Sequence, residues 1–145
     1  MTKVSGGEIW NPRTLSSEAW QRAGVDPATL TSHIAGLPQV GGFKRCGGSD
    51  LPPTCQIDVW SQIYTIEDFH HMEGGVDFVE ITIADRTGLR YQPSHDLIGI
   101  QCDIVFPADH GSYSIVAVKL DPQSGVDPCV RVMEAAEVLA PLLPR

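Results

Sequence analysis

None of the four cysteines lies in a C-x-x-C pair, which argues against a structural zinc site and a thioredoxin-like redox motif. No apolar run approaches the length needed to cross a bilayer, and Met1-Thr2-Lys3-Val4-Ser5-Gly6-Gly7 carries no hydrophobic signal region. Cations are few: ten Lys and Arg, spread along the chain with one adjacent pair at Lys44-Arg45, stand against eighteen Asp and Glu, for a formal net charge of −8. Such a chain repels phosphate backbones and anionic lipid headgroups, so no nucleic-acid partner is expected. The chain also lacks a G-x-S-x-G elbow, an H-E-x-x-H helix, a G-x-G-x-x-G or P-loop cradle, and any repeat of fixed period. Nucleophilic hydrolysis by an elbow serine, zinc proteolysis, phosphate cradling and a solenoid therefore have no support.

What is present is globular: 145 residues, 42% apolar and 19% charged, the usual size of one domain with one core. Residues 1–8 read as a flexible N-terminus or cloning remnant, and residues 9–145 as a single globular domain. The even number of cysteines suits a disulfide framework in a mature exported domain, although four cysteines allow three connectivities.

The segment Thr14 to Ala23 reads as a short helix, capped by Thr14 or Ser16, with Leu15, Ala19 and Ala23 on one stripe and Gly24 as its stop. Asp26-Pro27 opens a second helical turn that would aim Leu30 and Ile34 inward and close at Gly36 and Pro38. A short strand follows at Gly42 to Cys46, then a loop from Gly47 to Pro53. From Cys55 the alternation is clear, with Cys55, Ile57, Val59 and Ile63 on one face. Gln56, Asp58 and Gln62 lie on the other, where Trp60 and Tyr64 also stand. Thr65 to Met72 can make a helical turn before Gly74-Gly75, and Val79, Ile81 and Ile83 alternate in another strand. Ile98, Ile100, Cys102, Ile104 and Phe106 form the longest alternating set, joined through Pro107–Gly111 to Tyr113–Lys119 as a hairpin. The last helix is the best signalled: Asp127 caps it, Pro128 takes its first position, Val132, Ala136, Leu139 and Leu143 trace its stripe, and Pro141 ends or kinks it. The order predicts an α+β fold: an antiparallel meandering sheet of about five strands, with N-terminal and C-terminal helices packed on one face.

Cys46 and Cys55 flank one loop between two predicted strands and could meet across a hairpin. Cys102 lies on the expected core face in mid-strand and Cys129 in the first turn of the final helix, so a bond between them would pin that helix to the sheet. Loop-closure entropy gives about 2.7 kcal/mol for the first pair and about 3.6 kcal/mol for the second.

Several short motifs occur in a familiar order: Trp10-Asn11-Pro12, Ala23-Gly24-Val25-Asp26-Pro27, Gly42-Phe43-Lys44-Arg45-Cys46, Gly88-Leu89-Arg90, Cys102-x-Ile104-x-Phe106 with Gly111 after it, and Asp127-Pro128-Cys129 opening a helix that ends in Leu142-Leu143-Pro144. From Trp10 to Pro144 the chain resembles a family of actinobacterial envelope lipoproteins, domain of unknown function 3558. The resemblance implies export and an N-terminal lipid anchor that this chain lacks, and it implies no catalytic residues. It supports Cys102–Cys129. It also implies a cysteine after the early Asn-Pro, partnered by the position of Cys46; Arg13 stands there instead, which leaves Cys55 as a substitute partner.

Of the residues that carry chemistry, adjacent His70 and His71 point in different directions on either a helix or a strand, so they read as surface residues and not as a metal pair. His95-Asp96 and Asp109-His110 are turn pairs that could supply half of a base–orienter couple. Glu67, Asp68, Glu73 and Asp77 form the densest acidic stretch and read as a solvated edge. Trp60 and Tyr64, extended by Arg90 and Tyr91 near a predicted loop, form a candidate exposed aromatic contact patch. The expected function is non-enzymatic: a monomeric, exported envelope domain binding a protein, lipid or cell-wall component, without metal or cofactor. The alternatives are a small hydrolase using His95 and Asp96, or an acidic immunity or exclusion protein that blocks a basic partner.

Overall fold

A computed structural model describes residues 9–32, 42–70 and 74–145. The predicted Ile34, Gly36 and Pro38 positions and residues 71–73, among them His71 and Glu73, lie outside the described residues.

The fold is α+β, with a six-stranded antiparallel sheet ordered β1-β2-β6-β5-β4-β3. Its strands are β1 (Phe43–Ser49), β2 (Cys55–Gln62), β3 (Val76–Ile83), β4 (Arg86–Gln92), β5 (Gln101–Ala108) and β6 (Gly111–Lys119). The helices are α1 (Ser17–Arg22), the five-residue α2 (Ile66–His70) and α3 (Pro128–Leu139). Consecutive strands β3 to β6 form a meander, while the β1–β2 hairpin joins by pairing β2 with β6.

Ser16 caps α1 by accepting from the Ala19 amide, and Gly24, at φ 90°, takes the left-handed stop. The turn at Asp26-Pro27 is a 3-10 turn, Pro27–Thr29, closed by Asp26 accepting from Ala28. Asp127 caps α3 with Pro128 at its first position, and Pro141 falls in the 3-10 turn Ala140–Leu142 that ends the helix. Val132, Ala136, Leu139 and Leu143 are all buried. With Trp20, Ala19 and Ala23 of the N-terminal segment they cover one sheet face, packing on Cys55, Ile57, Val59, Cys102, Ile104, Phe106, Ile115 and Ala117. Arg86 donates to the carbonyls of Leu143 and Pro144 and so ties the chain end to β4.

Three expectations are corrected. The sheet has six strands because Arg86–Gln92 forms a strand that apolar alternation did not mark: Gly88 occupies a core-facing position where a side chain would strike Phe106 and the Val105 carbonyl. Gly47, Gly48 and Ser49 belong to β1 and not to a loop, because Gly47 lies opposite Asp58 and a Cβ there would collide with the Asp58 carboxylate. Ile98 and Ile100 precede β5 and are exposed, at 46% and 44%, so the alternating apolar set is interrupted where the strand begins.

Cys102 and Cys129 are joined by a disulfide, with Cα atoms 5.0 Å apart, which fastens the first turn of α3 to β5. The Cys46–Cys55 bridge does not form; both are free, buried thiols. Cys46 is in register with Val59, and Cys55 lies four positions further along β2, about 13 Å at the usual strand rise. Burial pushes both thiols up from their ordinary value, so they stay protonated.

Candidate functional site

The face of the sheet away from α1 and α3 carries the alternate residue of each strand. Register aligns them in rows. One row runs Gly47, Asp58, Val116, Asp103, Tyr91 across five strands; its neighbour runs Arg45, Trp60, Ser114, Val105, Leu89. A third sets Gln56, Val118 and Gln101 side by side. Among the described residues, helix α2 covers one part of this face, laying Ile66 and Phe69 on Leu89, Tyr91 and Val105. Beside it lies an open cup of about 430 Å³, lined by Phe43, Asp58, Trp60, Gln62, Phe69, Tyr91, Gln101, Asp103, Ser114, Val116 and Val118. That volume is in the range of small-molecule sites.

Aromatic rings shape its walls. Phe43 meets Trp60 edge-on at 6.0 Å and Tyr64 at 5.5 Å. Tyr91 contacts Phe69 at 6.3 Å and stacks on Phe78 at 5.2 Å. The polar lining is ordered by its own hydrogen bonds. Gln62 Nε2 donates to Ser114 Oγ at 2.8 Å and to Ser112 Oγ at 3.1 Å, while Ser112 donates to the Tyr64 carbonyl. Arg45 donates to Asp58 Oδ1 at 2.6 Å in a largely buried ion pair, and Gln56 donates to the same oxygen at 2.9 Å.

Asp103 is the chemically unusual group. It is 7% exposed, and Gln101 Nε2 donates to its Oδ1 at 3.1 Å. Burial pushes its carboxyl up to about 7, and nearby Asp58 pushes the same way, against the hydrogen bonds from Gln101 and Tyr91. The Tyr91 phenol is in turn raised by burial and by the adjacent Asp103. A carboxyl that sits between its two charge states near neutrality, inside a cleft, is a recognised mark of a functional position.

The predicted contact residues separate. Trp60 lines the cup, Tyr64 is 42% exposed and lines a second cavity that shares Phe43, Gln62 and Phe69 with it, and Tyr91 forms part of the cup's floor at 2% exposure. Arg90 and Tyr91 lie within β4 and not near a loop; successive strand residues face opposite ways, so Arg90 turns away from the cup. Trp60 and Tyr91 therefore belong to a concavity, where the sequence suggested an exposed patch. His95 and Asp96 stand exposed on a 3-10 turn after β4, outside the cup lining, and Asp109 and His110 are exposed at the β5–β6 turn. Sequence reasoning missed Phe43, Phe69, Gln101, Asp103 and Ser114. One signal was there: Gln101 and Asp103 alternate with Ile100, Cys102 and Ile104 and so stand together on the opposite face of the chain's best apolar strand.

Among the described residues no three of His, Cys, Asp and Glu gather to hold a metal ion. The disulfide suggests an oxidising, extracytoplasmic compartment, and no described helix is long and apolar enough to cross a membrane. Comparison with protein-family models, with curated proteins and with solved structures found no match to this chain.

Proposed function

We propose that this chain is a non-enzymatic domain of the envelope-lipoprotein type it resembles, and that it binds a small ligand, an envelope component or part of one, in the cup on its open sheet face. The observation that carries the reading is the cup itself: about 430 Å³ of concave surface, walled by Phe43, Trp60, Phe69 and Tyr91 and floored by ordered polar groups. Aromatic walls with a few fixed hydrogen-bonding groups suit a ligand with a flat or apolar body and one polar end. The envelope setting draws on the Cys102–Cys129 bridge; Arg13, whose charge acts on Cys46, is a departure from the resembled family, which would carry a bridging cysteine there.

The test is entry of an uncharged fluorescent probe, N-phenyl-1-naphthylamine. Saturable fluorescence enhancement is expected, lost in Trp60→Ala while the circular dichroism spectrum stays native. Probe binding unchanged in Trp60→Ala would sink the cup as the ligand site.

A further inference from the structure

We propose that the cup takes an organic cation, with an ammonium group seated against Asp103 and its apolar body against Phe43, Trp60, Phe69 and Tyr91. This rests on the cup being the ligand site and names the class of ligand it selects. Two carboxylates enter the same cavity from strands on either side of β6, since Asp58 and Asp103 are both in register with Val116. Two strand spacings put their Cα atoms about 9.5 Å apart. Their partners differ. Asp58 is held by the Arg45 guanidinium at 2.6 Å. Asp103 is held by the neutral donors Gln101 and Tyr91, and the third group acting on it is another acid, Asp58. The cavity thus brings two carboxyl groups and one guanidinium together, and the side with neutral partners faces aromatic rings. Ring faces attract cations and tolerate the apolar remainder of the ligand.

The groups facing Asp103 can be named element by element: Asp58 from β2, with Arg45 of β1 behind it; the uncharged Ser114, Val116 and Val118 from β6; Tyr91 from β4; and Phe69 from α2. With these neighbours, Asp103 titrates near neutrality. A bound ammonium favours the carboxylate, so cation binding releases a proton from the fraction of molecules in which Asp103 is protonated. Cation affinity then rises with pH through that range. A neutral ligand that accepts a hydrogen bond from the protonated acid would show the opposite trend.

The experiment titrates the full chain by calorimetry with 2-phenylethylammonium and with 2-phenylethanol, at pH 6 and pH 8. The ammonium is expected to bind more tightly than the alcohol and to gain affinity at pH 8. Asp103→Asn, with a native circular dichroism spectrum, should weaken the ammonium at least about tenfold at pH 8 and flatten its pH dependence, as loss of a charged hydrogen-bond partner predicts. Trp60→Ala should weaken both compounds. If the alcohol binds as tightly as the ammonium, or Asp103→Asn leaves the ammonium unaffected, the cation proposal is overturned while the cup remains the site. If neither compound binds while N-phenyl-1-naphthylamine still enters the cup, the cation class alone falls. If that probe also fails to enter, both readings fall together.

Discussion

The two faces of this sheet are built from the same strands and serve opposite ends. On the covered face Ile57, Val59, Ile104, Phe106, Ile115 and Ala117 meet Trp20 and α3, closing a dry core. On the other, Asp58, Trp60, Gln62, Asp103, Ser114 and Tyr91 line a cup, and among the described residues the one helix laid on that face is the five-residue α2, over part of its extent. Because strand side chains alternate with period two, each strand supplies both faces at once. Stability is concentrated in one set of alternate residues, which leaves the other set to carry hydrogen-bonding and charged groups whose burial is compensated locally, as Gln56 and Arg45 compensate Asp58.

The sharpest way to break the comparison is Trp20→Ala. Trp20 is wholly buried against the covered face, so unfolding by guanidinium should show a loss of about 3–5 kcal/mol. A loss below 1 kcal/mol would mean that α1 does not close that face. Replacing Cys102 and Cys129 together by Ala should cost about 3.6 kcal/mol, through the freed 27-residue separation, and the denaturant midpoint measures it. Arg13→Cys works in the other direction. Under oxidising conditions it should bridge to Cys46 and add up to about 3.7 kcal/mol, with mass mapping of the new disulfide as the direct readout. Failure to bridge would count against the proposed kinship with the envelope lipoproteins.

The last effect concerns the open face and is read as a slope against pH. The Asp103 carboxyl is raised in the folded chain from 3.8 to about 7, so the folded state binds the extra proton between those values. Its stabilising contribution is present in full below pH 3.8 and is lost as pH rises through about 7. A single proton gives a slope of at most about 1.4 kcal/mol per pH unit. Asp103→Asn should remove that part of the decline in melts recorded across this window; an unchanged profile would show that Asp103 does not titrate there.

How legible the molecule was differs between its parts. Helix caps are local chemistry, so Ser16, Gly24, Asp127 and Pro128 could be read directly. Strand β4 was obscure for two local reasons. Its hairpin turn uses Ala84 and Asp85, at φ 52° and 64°, where a glycine-containing pair is the usual signal, and its core side carries Gly88 and Arg86 where apolar residues would be expected. Cys46–Cys55 failed because proximity across a hairpin depends on register, and an Asp50–Thr54 turn flanked by a longer β1 shifts the two thiols apart.

The sequence by itself determined the class of fold, the capped helices and the hydrophobic alternation of β2, because each follows from spacing along the chain and local backbone preference; it made Cys102–Cys129 an expectation that the tertiary structure bears out. Only the tertiary structure decided that Asp58 and Asp103, forty-five positions apart, flank the same Val116, and that Phe43, Trp60 and Tyr91 wall one cavity. That arrangement arises from strand order and register, which are set by which residues pair across the sheet; no segment of sequence contains it.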